Sequence, residues 1–315
     1  MIGVLLINLG TPDKPDKNAV GHYLKEFLTD PFVIQIPSFF RYLLVRGLIV
    51  PFRKKKSVLA YQKIWTSRGS PLLVHTQDLA SRLGEELGKD FIVKFGMRYG
   101  SFSIPEALHS FPQEIKKLIV VPLYPQHAVS STQTAINEVL KWLKSHLVQW
   151  EIKWMKPFYE HPLFLESFAQ VVNLPLKEFA PEVVLMSFHG LPVSHIRKEI
   201  PENNYADHCY KTSRALASRL NISSYEVSFQ SRLGIKWLRP RTDEIIFKFL
   251  NENKRRLAVI CPSFVCDCLE TLEEIGIRLK AQFLCEGGKD FLLLPCLNAS
   301  PVWVKNLALM IKELV

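Results

Sequence analysis

The sequence predicts an α/β protein made of two similar, doubly wound parallel-sheet domains. Three observations carry that expectation. Short apolar runs alternate with amphipathic stretches along the whole of the 315-residue chain. Several runs (VLLI at 4–7, LIVV at 118–121, VVLM at 183–186, LAVI at 257–260) lack the polar alternation of a half-exposed strand, as parallel strands buried on both faces do. The plan of VLLINLGTP (4–12) returns in VVLMSFHGLP (183–192): buried strand, polar residue, glycine, one residue, proline. Alternation of this kind gives an open, Rossmann-like sheet with ligands outside the carboxyl ends of its strands.

Taken in order, strands are expected over 2–9, 91–97, 118–122, 151–155, 183–188, 225–229, 257–261 and 291–294. Helical patterns fall near 18–29, 72–88, 128–146, 163–179, 205–220, 242–253, 268–284 and 301–314. The echo puts the strands at 2–9 and 183–188 at or near the head of each half. Domains of 1–150 and 151–315 follow, with a cleft between them and the last helix packing back on the first domain.

Hydrophobic residues make up 48% of the chain and charged ones 22%, which excludes a disordered chain. The formal net charge of +10 favours anionic partners, either an acidic membrane surface or a carboxylate-bearing substrate. The basic residues are scattered, with one dense run at Arg53-Lys54-Lys55-Lys56, so nucleic acid is not an expected partner. The six cysteines (209, 261, 266, 268, 285, 296) form no C-x-x-C pair and no disulfide framework is read from them. The amino terminus carries no basic leader and reads as a strand, so the expected compartment is a reducing cytoplasm.

Residues 31–52, PFVIQIPSFFRYLLVRGLIVPF, are apolar at about the ~20-residue length of a membrane span. Pro37, Arg41 and Arg46 interrupt the run and argue against insertion. Two readings stay open: an interfacial segment or pocket lip, anchored by the basic run that follows, and a helical hairpin packed in the core.

Three constellations carry chemistry. In SFHGLP (187–192) a strand ends and presents His189, whose imidazole can accept a proton or bind a metal. Residues 267–274, DCLETLEE, follow the strand LAVICP. Asp267 and Glu270 have the spacing of a helix N-cap and its capping box. Glu270 and Glu274 share a helix face that could pass a divalent cation, while Leu269, Leu272 and Ile275 would face the core. The third set, Arg98-Tyr99, 124–127 and Trp237, suits a flat apolar ligand with acidic edges.

NLGTP (8–12), YLKEFLTDPFVI (23–34), GSPL (69–72), MRYGSFS (97–103), PLYPQ (122–126), SFHGLP (187–192), FQSRLG (229–234), RTDE (241–244) and DCLETLEEIG (267–276) stand in the order and spacing of one family. On these motifs the chain resembles the ferrochelatases, especially the proteobacterial type, over essentially its whole length. The resemblance implies a chelatase-like pair of α/β domains around a porphyrin cleft. It implies insertion of Fe2+ into protoporphyrin IX, the terminal step of haem biosynthesis. His189 would be the base or metal ligand, Glu270 the facing acid, base or metal-handling group, and Glu274 a further metal or proton site. Tyr61, Arg98, Tyr99, Trp237 and Arg53 match substrate-binding positions, and 31–56 matches the hydrophobic lip. The expected location is cytoplasmic, peripheral on the inner face of an anionic membrane. No cofactor is expected beyond the substrate Fe2+, and the cysteine spacing argues against an iron–sulfur cluster.

Four features depart from the family pattern. Cys268 stands where many relatives have a histidine, and Arg278 would truncate the acidic ridge beyond Glu274. The loop from FQSRLG to Trp237 is one residue shorter than usual, and the carboxyl-terminal cysteine extension of animal enzymes is not expected. Rival readings are a coproporphyrin or cobalt chelatase on the same fold, a non-catalytic tetrapyrrole or metallophore carrier, and an iron–sulfur electron-transfer protein. Oligomeric state is not legible.

Overall fold

Strands form where the apolar runs fall. The computed structural model describes every residue except Lys198, Leu233 and Ile235. Its two units comprise Met1–Leu123, Ala128–Lys156 and Ile311–Val315, and Tyr124–His127 and Pro157–Met310.

In the first unit, β1 (Ile2–Gly10), β2 (Phe91–Tyr99), β3 (Lys117–Pro122) and β4 (Glu151–Trp154) make a parallel sheet in the order β2-β1-β3-β4. Leu6 pairs with Phe95 on one side and Val121 on the other. Val4, Leu5, Leu6 and Ile7 are fully buried, as are Leu118 to Val121, because helices cover both faces. The helices are α1 (Lys17–Thr29), α2 (Ser38–Leu43), α3 (Val50–Ile64), α4 (Pro71–Leu87), α5 (Ile104–His109) and α6 (Thr134–Ser145). Asp16 caps α1 by accepting from the amides of Asn18 and Ala19. The turn Ser103–Glu106 forms a full capping box, and it starts a short helix, α5, that the apolar periodicity did not anticipate.

In the second unit, β5 (Val183–His189), β6 (Tyr225–Gln230), β7 (Arg256–Ile260) and β8 (Asp290–Leu293) repeat the plan in the order β6-β5-β7-β8. The helices are α7 (Pro162–Phe179), α8 (Val193–Ile196), α9 (Tyr205–Leu220), α10 (Thr242–Asn251), α11 (Lys280–Cys285) and α12 (Pro301–Lys312). Val183, Leu185, Leu257 and Val259 pack with Ile246, Phe249, Ile275 and Phe283 in one buried cluster. Truncating a ring such as Phe249 there would cost about 3–5 kcal/mol.

Three segments expected as plain α-helix or left open contain π turns: Leu44–Ile49, Val129–Gln133 and Glu270–Leu279. The first joins α2 to α3 inside the apolar stretch. That stretch packs only in part: Val45 and Val50 are buried, whereas α2 buries no residue. Phe39, Phe40, Tyr42, Leu43, Leu48 and Phe52 are all exposed by half or more. Among the described residues, no helix is long and apolar enough to cross a membrane.

Candidate active site

Each sheet reverses its winding beside its first strand. In the second unit that switch point lies between β5 and β7, where ligands of open α/β sheets bind. His189 is the last residue of β5. The chain leaving β7 supplies Ser263 and then the π-helical segment beginning at Glu270.

Hydrogen bonds fix the His189 backbone on both sides. Its amide donates to Ser263 Oγ at 3.2 Å, and its carbonyl accepts from the Tyr205 hydroxyl at 2.8 Å. The Gly190 amide donates to the Gln230 carbonyl at 2.7 Å. A Cβ at position 190 would stand 2.6 Å from that carbonyl oxygen, so only glycine lets β5 and β6 end this close together. Trp237 lies against the same glycine, with a ring carbon 3.6 Å from the position of such a Cβ, and bridges to Pro192. The imidazole is half-buried, with the Phe264 ring 6.4 Å away centre to centre.

Gln230 and Ser231 connect this loop to the acidic segment. Gln230 Nε2 donates to the Glu270 carbonyl at 2.8 Å, while its Oε1 accepts from Ser187 Oγ at 2.7 Å. Thr242 Oγ1 lies 2.8 Å from both Ser187 Oγ and Ser228 Oγ, which fixes the amide's orientation. Ser231, at a left-handed φ of 62°, gives both its amide (2.8 Å) and its hydroxyl (2.5 Å) to the Glu274 carboxylate. Burial pushes the Glu274 carboxyl up; the Ser231 hydrogen bonds and Arg278 oppose that shift.

The capping box expected at Asp267 does not form. Asp267 turns inward instead, accepting from Thr271 Oγ1 at 2.9 Å, Asn298 Nδ2 at 2.7 Å and the Cys296 amide at 3.3 Å. The π segment has no side-chain cap. Its buried face is Thr271, Ile275 and Leu279, with Glu273 beside them, so Leu269 and Leu272 are only half-buried. The wider π turn brings residues four apart into line, and it leaves Glu270 and Glu274 on the half-exposed side. Arg278 ends this ridge, with Nε 2.7 Å from Glu273 and Nη2 3.9 Å from Glu274.

Cys268 hydrogen-bonds toward the Glu270 side chain, and burial followed by that carboxylate pushes its thiol well up. Five of the six cysteines are buried. Among the described residues, no three histidine, cysteine or acidic side chains are arranged to hold a metal ion. Of the FQSRLG motif and the shortened loop after it, Leu233 and Ile235 lie outside the described residues.

The first unit holds the other residues expected at the site. Arg98 Nη2 meets Asp30 Oδ2 at 2.6 Å, and Arg98 Nε donates to Thr134 Oγ1 at 2.8 Å. The same Asp30 oxygen accepts from Tyr99 Oη at 2.9 Å and from Thr134 Oγ1 at 2.7 Å. Tyr99 is 1% exposed, so its ring belongs to the core. Tyr61 is also buried, edge-on to Trp65, and Arg53 is half-exposed two turns earlier on the same helix, α3.

A histidine and an acidic π turn at the switch point of a four-stranded parallel sheet define a chelatase-type fold. CbiX, the terminal enzyme for biosynthesis of siroheme in denitrifying bacteria, matches 100% of this chain and 99% of its own with a TM-score of 0.53 at 11% identity. SirB from Bacillus subtilis matches 99% and 94% with a TM-score of 0.57 at 10% identity. At such identities the likeness is one of fold alone. The sequence goes further. The ferrochelatase family model matches residues 1–315. The ferrochelatase of Coxiella burnetii (strain Dugway 5J108-111) is 44% identical over 334 residues, covering 99% of this chain and 93% of the relative. That of Legionella pneumophila (strain Lens) is 42% identical over 329 residues, covering 99% and 98%. The chain belongs to the ferrochelatase family and is a lyase.

Proposed function

We propose that the protein inserts Fe2+ into protoporphyrin IX, releasing the two pyrrole protons and forming protohaem, with His189 and Glu270 at the reacting centre. The observation that carries this reading is the Gln230–Ser231 clamp. It ties the β5 loop bearing His189 to the π turn bearing Glu270 and Glu274. Metallation exchanges one divalent cation for two protons, so it needs a proton acceptor and a metal-handling group held in fixed relation. His189 supplies a nitrogen that can take a pyrrole proton or bind Fe2+. Glu270 supplies a carboxylate, and Glu274, whose carboxyl is pushed up by burial, is suited to carry a proton one turn on. Arg53, Tyr61, Arg98, Tyr99 and Trp237 match porphyrin-binding positions in this reading, and Arg98 and Tyr99 are held in place by Asp30.

The lip at 31–56 extends the reading to location. Its exposed aromatic and aliphatic side chains, followed by Arg53–Lys56, suit a peripheral contact with anionic lipid.

The test is anaerobic mixing of protein, Fe2+ and protoporphyrin, following the loss of porphyrin fluorescence. His189→Ala and Glu270→Gln should each lose about 10²-fold or more in turnover while still binding porphyrin. Normal turnover by His189→Ala would overturn the assignment of the base.

A further inference from the structure

Glu199 plays no part in that reading, and its environment is unusual. It precedes the turn Pro201–Asn203 and folds back so that Oε2 accepts from the Tyr205 amide at 3.0 Å. Tyr205 is the first residue of α9, and its amide is one that the helix itself leaves unsatisfied. Asn204 already serves the cap, accepting from the Asp207 amide at 3.0 Å. Glu199 Oε1 is buried, and among the described residues it has no hydrogen-bond partner. A carboxyl oxygen shut from water without a partner is costly, so a role beyond capping is called for.

The chain of contacts leads to the candidate base. The Tyr205 ring is buried, and its hydroxyl donates to the His189 carbonyl at 2.8 Å. That hydroxyl also neighbours Ser263, the side chain that receives the His189 amide. Glu199 holds the helix start, the helix start carries the phenol, and the phenol holds the backbone of His189.

We propose that Glu199 is a positioning residue for His189, fixing the first turn of α9 so that the Tyr205 hydroxyl sets where the imidazole stands. The inference rests on the reading of His189 given above. Burial raises the Glu199 carboxyl to about 7, against the pull of the Tyr205 amide, so its charge changes within the working pH range. The titratable groups acting on it from α9 are Tyr205 and Cys209, both pushed up by burial and neutral there. On the same stretch of chain, Arg197 and Glu202 are exposed and His195 is buried on α8. Ionised, Glu199 grips the helix amide strongly; protonated, it grips weakly.

The test measures kcat, KM for porphyrin and melting temperature from pH 6 to 9 for wild type, Glu199→Ala, Glu199→Gln, Tyr205→Phe and His189→Ala. Glu199→Ala and Tyr205→Phe should lower kcat about 10-fold with KM within about twofold, because a displaced base costs rate rather than binding. Glu199→Gln keeps an acceptor for the amide and should recover most of kcat, with the Glu199 contribution near pH 7 removed from the profile. Wild-type kcat in Tyr205→Phe across the range, or a kcat–pH profile of Glu199→Gln that superimposes on that of wild type, would overturn the proposal. These two variants decide it even if Glu199→Ala fails to fold. Inactive His189→Ala beside a fully active Tyr205→Phe sinks this inference alone; a fully active His189→Ala removes both it and the reading beneath it.

Discussion

Arg98 reads from sequence as a cation free to grip a substrate carboxylate, whereas in the fold it is spent on Asp30. Replacing Asp30 by alanine tests which description governs the protein. Asp30 Oδ2 accepts from Arg98, Tyr99 and Thr134, and Oδ1 accepts from the Phe32 amide at 2.7 Å. The Asp30 side chain is 2% exposed and that of Arg98 17%, so neither is well solvated. Removing the carboxylate takes away the acceptor shared by the Tyr99 and Thr134 hydroxyls and leaves them only each other, at about 1 kcal/mol or more for the lost hydrogen bonding. It also leaves a largely buried guanidinium with, among the described residues, only Glu138, 3.8 Å away, to answer its charge. Breaking a buried pair in this way costs about 3–5 kcal/mol, and the partial exposure of Arg98 points to the lower half of that range. Asp30→Asn retains one acceptor and should cost less. The assay is urea unfolding by circular dichroism, read as a midpoint shift at constant slope, beside KM for porphyrin. A loss below about 1 kcal/mol would refute the anchoring argument. So would an Arg98→Ala variant of wild-type stability with a raised KM, because it would make Arg98 a ligand-binding cation and not a strut.

Three further outcomes follow from other parts of the molecule. Gly190→Ala must push β5 and β6 apart, since its Cβ would meet the Gln230 carbonyl at 2.6 Å; about 1–3 kcal/mol of lost stability with a collapse of turnover is expected, and wild-type activity would contradict the packing argument. Glu199 should give stability a pH slope. Between its ordinary 4.5 and about 7 the folded chain holds a proton that the unfolded chain has released, so stability relative to Glu199→Gln falls as pH rises through that window and is flat above it. A difference between the two proteins that stays constant from pH 5 to 8 would show that the carboxyl is not shifted. At the lip, Phe39→Ser with Phe52→Ser, or charge reversal of Arg53–Lys56, should weaken sedimentation with anionic vesicles without lowering the melting temperature; unchanged binding would remove the membrane contact.

The strands were legible because burial on both faces writes itself as uninterrupted apolar runs, and each of the eight expected segments overlaps an observed strand. The helix from 268 was legible as a helix but not as a π turn. Its winding depends on how Gln230 and Ser231 hold Glu270 and Glu274, and those contacts span 40 and 43 residues. Asp267 failed as a cap for the same reason: Asn298 and Cys296, far along the chain, compete for its oxygens. The capping box of α5 was there to be read, as Ser103 and Glu106 with a proline between them, but the helix is too short to show apolar periodicity. The places of His189 at the end of β5 and Glu270 at the start of the π turn follow from strand-end and helix-start logic. Those of Tyr205, Ser263 and Glu199 do not, since nothing local distinguishes a tyrosine that reaches 16 residues back to a carbonyl.

The short echo between residues 4–12 and 183–192 is a structural repeat, and it separates what the fold requires from what the chemistry requires. In both units the first strand occupies the same place in the sheet order, and a glycine at its last residue (Gly10) or just after it (Gly190) presses against the neighbouring strand. A Cβ at Gly10 would lie 1.9 Å from the Tyr99 carbonyl oxygen, and one at Gly190 would lie 2.6 Å from that of Gln230. In both, a tyrosine from a following helix donates its hydroxyl to the strand-end backbone: Tyr23 to the Gly10 carbonyl, Tyr205 to that of His189. Glycine and tyrosine are thus the scaffold's way of closing a parallel strand at the switch point. Leu9 stands in the first unit where His189 stands in the second, and Thr11 there donates to Ser70 Oγ at 2.7 Å. One copy of the turn is a joint, and the other is the same joint with an imidazole placed at its tip. The β6 end adds what the first unit lacks, the Gln230–Ser231 pair that draws an acidic π turn to it. It is this addition, and not the shared scaffold, that distinguishes the end of the second sheet from that of the first among the described residues.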